Sequence, residues 1–253
     1  MRDYEISKKE WVLDGASVSY GFAFELKGAL SHDIQRERDF KYTGMDMSEI
    51  VKHIAQFTSD IWQIHPFCEG NTRTTAVFII KYLRSLGFDV NNTTFEKNSW
   101  YFRNALVRAN YQNLQKGIYK ETIHLERFFR NLLMGEDNIL MNRHLHIKAK
   151  ELLDGTTPAS TPTSTPTSTP TSVIPESENV KRLISAIAKK QLSVKEIMAA
   201  VGLKDRPNFI EYSLSPAMRE GYVCMLYPDS PRHPRQKYLL TVKGLAAYKE
   251  LSR

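Results

Sequence analysis

Cysteine is nearly absent: Cys68 and Cys224 are the only two in 253 residues, too few and too isolated for a disulfide framework or a thiolate metal site. That fits a reducing compartment and argues against redox chemistry. Long apolar runs are also missing. None approaches the roughly 18 to 20 residues that a membrane span needs. Met1-Arg2-Asp3-Tyr4 opens polar, without the basic-then-apolar order of a secretory signal. The expectation is a soluble, cytoplasmic protein that does not act at a membrane. Acidic residues run short in one place only. Residues 1–155 carry 21 basic and 20 acidic side chains, whereas residues 176–253 carry 14 and 8, so nearly all of the formal +7 sits in the last third. With 42% hydrophobic residues, the chain can bury a core and still divide into two modules.

The boundary is compositional. Thr156-Thr157-Pro158-Ala159-Ser160 and the Thr-Pro-Thr-Ser repeats that follow to Ser172 contain no charge and no large apolar residue, so they cannot offset the entropy of folding. Proline at every fourth place favours extended polyproline II, reaching about 50 Å at roughly 3.1 Å per residue. We therefore divide the chain into 1–150, a Thr/Pro/Ser-rich linker at 151–175, and 176–253. The first module reads as mainly α. A helix over Phe22–Phe40 keeps Phe24, Leu26, Leu30 and Ile34 near one face. Ser48 is placed to cap a second helix, whose stripe Ile50, Ile54, Phe57, Ile61, Ile64 ends at His65-Pro66, because the residue before proline is pushed out of the α region. A third starts near Asn71 or Thr72 and passes Val77, Ile80 and Leu83 to a stop at Gly87. Two more span Thr94–Ala109 and Lys120–Met134. The early strand candidate is Trp11–Tyr20, where Asp14-Gly15 between short apolar runs predicts a hairpin.

Beyond the linker, Val180, Leu183, Ile184 and Ile187 mark a helix, and Ser193 to Glu196 has capping-box spacing for the next, which Gly202 ends. A third helix over Pro207–Glu220, interrupted at Pro216, precedes two short strands over Tyr222–Tyr227 and Lys237–Thr241, then a last helix. Three helices followed by a hairpin is the order of a winged helix. Lys204, Arg206 and Asn208 then fall where such a fold meets the DNA major groove, with Arg232, Arg235 and Lys237 in or beside the wing. DNA is one expected partner of this module, protein contact or dimerisation is a second reading, and the absence of any partner is a third.

The chemistry concentrates in His65-Pro66-Phe67-Cys68-Glu69-Gly70-Asn71-Thr72-Arg73-Thr74-Thr75, between two apolar helices. A helix starting at about Asn71 presents unpaired amides of residues 70–73 at the positive end of its dipole, an arrangement suited to phosphate. Gly70 allows close backbone approach, Asn71 can donate from its amide, and Arg73 can reach a second phosphate with its planar fork. Glu69 conflicts with an anion pocket unless a cation intervenes, and Mg²⁺ held by one carboxylate plus nucleotide phosphates removes the conflict. His65 offers a group whose unperturbed pKa of about 6.5 suits proton abstraction. His144 and His146 alternate, but no carboxylate or cysteine cluster accompanies them, so they do not read as a metal site. Trp62 and Phe78 read as core, and Cys68 as chemically idle.

His65 to Arg73 resembles the signature of the Fic (filamentation induced by cAMP) family, His-Pro-Phe-x-Asp/Glu-Gly-Asn-Gly/Lys-Arg. The resemblance implies an all-α Fic-type bundle with a small β-hairpin flap, here joined to a winged-helix domain. It implies transfer of AMP from ATP to a Ser, Thr or Tyr hydroxyl of a target protein. In that scheme His65 deprotonates the hydroxyl, Glu69 holds Mg²⁺, Gly70, Asn71 and Thr72 line the phosphate nest, and Arg73 stabilises the departing pyrophosphate. Phe67 would be a core anchor. Tyr101 and Asn104 lie in the region the family uses for base and ribose, and Leu13, Asp14, Gly15, Ala16 and Ser17 occupy the place of the flap that aligns the target by strand addition.

Two positions depart from the family pattern. Thr72 replaces Gly or Lys, and Ala76 stands where many members carry a second arginine that contacts the γ-phosphate. The family's inhibitory pattern, Ser/Thr-x-x-x-Glu followed by Gly or Asn, is not present: Thr122 to Glu126 has the spacing but continues with Arg127. The alternative reading is a catalytically degenerate, nucleotide-sensing Fic-like module in a DNA-binding regulator. Transfer of UMP, GMP or phosphocholine, removal of AMP, and a homodimer all stay open at this level.

Overall fold

The computed structural model of the chain describes residues 1–148, 174–228, 230–231 and 233–252. The linker placed at 151–175 falls outside the described residues except for its last two, and so does Arg232. The chain is mainly helical and carries one two-stranded antiparallel sheet among its described residues. It divides into two units, one of Met1–Phe40, Val51–Ile79 and Asn91–Pro170, the other of Lys41–Ile50, Ile80–Val90 and Thr171–Arg253.

The first unit begins with a correction. Trp11–Leu13 is a 3-10 turn and not a strand. Asp14 (φ 56) and Gly15 (φ 82) do make the tight left-handed turn that an Asp-Gly pair favours. No ladder grows from it, because Val12 and Leu13 are both buried, and a strand would send neighbouring side chains to opposite faces. The turn is closed by Glu10 N to Ala16 O at 2.9 Å and Ala16 N to Leu13 O at 3.1 Å.

Helix α1 (Leu26–Asp39) starts later than its apolar pattern implies. A 3-10 turn at Ala23–Glu25 precedes it and carries Phe24 off the stripe, so that Phe24 is 83% exposed and Leu26 buried. Helix α2 (Met47–Ile64) buries Ile50, Ile54, Phe57, Ile61 and Ile64 as the spacing requires. Its cap is Asp46 and not Ser48: Asp46 Oδ1 accepts from Glu49 N at 3.0 Å while Glu49 Oε2 accepts from Asp46 N at 2.7 Å, a reciprocal box that starts the helix two residues earlier. Helix α3 (Asn71–Ser85) buries Ile80 and Leu83 but leaves Val77 53% exposed. The expected Thr94–Ala109 helix is two, α4 (Thr93–Lys97) and α5 (Ser99–Ala109), separated where the Asn98 side chain donates to the Thr94 carbonyl at 3.0 Å. Helix α6 (Ile123–Met134) then packs Phe128 and Phe129 against Phe95 and Phe102, with ring centroids 4.9 to 6.4 Å apart.

In the second unit, α7 (Glu178–Ile187) buries Val180, Leu183, Ile184 and Ile187. Helix α8 (Val194–Val201) opens with the Ser193–Glu196 capping box and ends at Gly202 in the left-handed region. Pro216 does not break the next helix. Between α9 (Arg206–Phe209) and α10 (Ser215–Arg219) the backbone widens into a π turn over Ile210–Leu214. This accommodates the missing amide and the ring that would otherwise strike the carbonyl four residues back. Strands β1 (Val223–Met225) and β2 (Tyr238–Leu240) pair with Val223 opposite Leu240. Leu192 adds a bridge to Tyr238, and α11 (Val242–Leu251) closes the unit. Its core gathers the α7 stripe with Ile197, Phe209, Leu214, Tyr222 and Leu240.

Candidate functional site

The turn from α2 to α3 is built around a strained histidine. His65 leaves α2 with φ 54, a region a non-glycine residue enters only when its surroundings hold it there. Those surroundings are visible. The His65 ring is 3% exposed, lies against Tyr20 with centroids 4.0 Å apart and meets Trp62 edge-on at 5.3 Å. Tyr20 is brought there by Gly21, whose amide donates to Gln63 O at 3.1 Å and where an added Cβ would stand 3.1 Å from the Ile64 carbonyl. Arg2, also buried, donates from Nε to the His65 carbonyl at 2.9 Å and from its backbone to the Pro66 carbonyl at 2.8 Å, and its guanidinium also reaches Gly21 O. Neither Arg2 nor Tyr20 is marked by a motif. An early arginine and a tyrosine beside a glycine carry no local signal, and only the tertiary approach of residues 1–21 to the end of α2 gives them a place.

Neither His65 ring nitrogen has a hydrogen-bond partner. Burial foremost, then the charge of Lys8, with Arg2 and Arg103 contributing, pushes its pKa down to about 4. The imidazole is therefore neutral at pH 7 and has a lone pair to offer. Burial pushes the Tyr20 phenol up to about 12, with Glu10 acting in the same direction, so its hydroxyl stays protonated. Glu10 itself is buried and bound at both oxygens by Arg103 of α5, at 2.7 and 2.8 Å.

From Phe67 to Arg73 the loop is tied by one side chain. Asn71 Oδ1 accepts from Phe67 N at 3.0 Å and its Nδ2 donates to Phe67 O at 2.7 Å. Asn71 is 4% exposed, and its side-chain oxygen and one of its two amide N–H groups shape the loop. Gly70 holds φ 77, and its carbonyl accepts from Thr74 N at 2.9 Å as α3 begins. Among the described residues nothing accepts from the amides of Gly70, Asn71, Thr72 or Arg73, which leaves the start of a 15-residue helix open to an anion. Glu69 and Arg73 are exposed beside it. Thr72 ties α3 back to α2, since its Oγ1 accepts from the indole of buried Trp62 at 3.0 Å. Phe67 is not a core anchor. It is 42% exposed, since the Asn71 clasp holds its backbone at the turn, and it lines a cavity of about 170 Å³ with Leu30, Ile34, Ile61 and Phe78.

The remaining sequence candidates lie elsewhere. Leu13 is buried, and Asp14 and Gly15 are exposed, with Asp14 paired to Lys148. Ser17 Oγ accepts from Lys8 N at 3.2 Å. No strand forms over Leu13 to Ser17. Tyr101 is 2% exposed and donates to His124 O at 3.3 Å; Asn104 donates to Asn142 at 2.7 Å. Neither of these bonds reaches the motif loop. In the second unit Lys204, Arg206 and Arg235 are exposed, whereas the Asn208 amide is held by Asp205 at 2.8 Å.

Residues 14–83 match the model of the Fic/DOC family. Residues 178–241 match that of the filamentation induced by cAMP protein Fic-like, C-terminal domain. Among solved structures the chain is similar to a Fic family protein from Desulfovibrio desulfuricans G20, at 20% identity and a TM-score of 0.29, over 88% of this chain and 57% of that one. No curated protein matches.

Proposed function

We propose, from the premise that this chain is a Fic-domain protein, that it is a Mg²⁺-dependent protein adenylyltransferase acting on a Ser, Thr or Tyr hydroxyl. The observation that carries this reading is a buried, neutral imidazole with both nitrogens unpartnered, next to a helix start whose amides are unengaged. In the reaction the target hydroxyl oxygen attacks the α-phosphorus of ATP, the bond from that phosphorus to the bridging oxygen breaks, and pyrophosphate leaves. The hydroxyl proton passes to His65. The amides of Gly70 to Arg73 and the Arg73 guanidinium receive the phosphate charge. An imidazole held near 4 by burial and neighbouring cations is a weak base. The anionic triphosphate offsets Lys8, Arg2 and Arg103, so His65 gains basicity when substrate binds.

The donor set suits Mg²⁺ in a limited way. Among the described residues no group of three His, Cys, Asp or Glu side chains is placed to hold a metal ion by itself, and Mg²⁺ characteristically takes one or two carboxylates plus substrate phosphates. Glu69, exposed at the loop, would be that carboxylate. When bound, Mg²⁺ supplies neutralisation of phosphate charge. Incubation with α-labelled ATP and Mg²⁺ tests the proposal: label is expected on the chain or on lysate proteins with the parent and not with His65→Ala. Equal labelling by His65→Ala, or no label with the parent, would overturn it.

A further inference from the structure

A second cluster of buried basic groups lies in the first unit, where α5 ends and α6 begins. Arg108, in the last turn of α5, is 6% exposed, and His124, in the first turn of α6, is 7% exposed. The carboxylate between them is Glu121, whose side chain is 46% exposed. Its Oε2 takes Arg108 Nη2 at 3.2 Å but stands 3.8 Å from His124 Nε2, too far for a hydrogen bond. Arg108 Nη1 and His124 Nδ1 are buried and have no partner. The other carboxylate nearby in the chain, Glu126, is occupied by the Thr122 hydroxyl at 2.7 Å.

Every other charged or titratable group that acts on His124 is basic: Arg108, Arg127 and His144, the last from the 3-10 turn Asn142–Leu145. Their joint effect, after burial itself, is to hold its pKa down at about 4. A buried guanidinium nitrogen without an acceptor is costly, and so, to a lesser degree, is an unpaired imidazole N–H. The arrangement asks for negative charge carrying several acceptor oxygens, which one species can share between the guanidinium and the ring. His124 stands in the first turn of the 12-residue α6, whose positive dipole end adds to the attraction.

We propose that this cluster of Arg108, Glu121, His124, Arg127 and His144 is a binding site for a phosphate-type oxyanion. The site is separate from the motif loop and independent of the nucleotidyl-transfer reading. Arg108 Nη1 and the His124 Nδ1–H donate to two oxygens of the anion, and Arg127 closes over it.

The test uses the full chain carrying Arg73→Ala, which removes the motif arginine from competition, and titrates inorganic phosphate against chloride at equal ionic strength. The thermal midpoint is expected to rise with phosphate and to saturate. Adding Arg127→Gln, a part-exposed position that does not disturb the core, is expected to weaken the apparent affinity about tenfold, the loss of one charge-assisted hydrogen bond. The His124 ring resonances should move with phosphate in the Arg73→Ala chain and much less once Arg127→Gln is added. A midpoint that follows phosphate no more than chloride would overturn the proposal and leave those donors to water. So would an Arg127→Gln titration that overlays the other.

Discussion

Replacing Thr72 by valine isolates one hydrogen bond in the candidate site. The Trp62 indole donates to Thr72 Oγ1 at 3.0 Å, and Trp62 is 1% exposed, so water cannot stand in for the lost acceptor. Valine keeps the branched shape and nearly the same helix propensity. The change therefore leaves a buried donor unpaired and should destabilise the first unit by about 1 to 3 kcal/mol. Thr72→Ser keeps the oxygen and should lose less than about 1 kcal/mol. Thr72→Gly, which restores a residue of the family signature, loses the acceptor and adds backbone freedom, for about 2 to 3 kcal/mol in all. Urea unfolding followed by tryptophan fluorescence reads this position well, because Trp11 and Trp100 are 60% and 69% exposed and the buried signal belongs to Trp62. With Trp62→Phe the partner disappears, and a double-mutant cycle read by circular dichroism should give a coupling of about 1 kcal/mol. A valine variant as stable as the parent, or a glycine variant more stable than it, would refute the reasoning: Thr72 would then be incidental to the packing of the loop.

Two further outcomes follow from burial and backbone geometry. His65 and His124 are each held near pKa 4 against about 6.5 in an unfolded chain. As pH falls below about 6.5 the unfolded state takes up protons first, and stability contributed by each neutral ring, on the order of 3 kcal/mol at most, is lost between about 6.5 and 4. His65→Asn should flatten the fall in urea midpoint over that range, and an unchanged slope would mean that His65 titrates normally. Gly87 has φ 94, and an added Cβ would meet Thr241 Oγ1 at 2.5 Å as well as the Gly221 carbonyl. Gly87→Ala should therefore cost more than about 2 kcal/mol. Gly28→Ala, in α1 with open space around it, should gain about 0.5 to 1 kcal/mol; thermal melts showing no difference between the two would contradict this account.

Helix-forming stretches were largely legible because each carries an apolar period matched to one buried face. Misplaced boundaries came from side chains that compete with the backbone. Asp46 takes the cap from Ser48, Asn98 splits one helix in two, and the 3-10 turn at Ala23–Glu25 rotates Phe24 out. At Asp14-Gly15 the turn was readable and the strands were not, since whether a strand forms depends on a partner and on which neighbours are buried together. The motif loop was legible as a set of residue types, but the role of Asn71 was not, because its amide turns inward to clasp Phe67.

The amino-acid sequence by itself determined the helical periods, the open helix start after Gly70 and the residue types gathered around it, because these depend on neighbours within a few positions. The tertiary structure alone decided that His65 is buried, neutral and without a partner, that Arg2 and Tyr20 hold it there, and that Arg108 meets His124. Those properties arise from desolvation and charge brought together by segments far apart in the chain, and no local pattern encodes them.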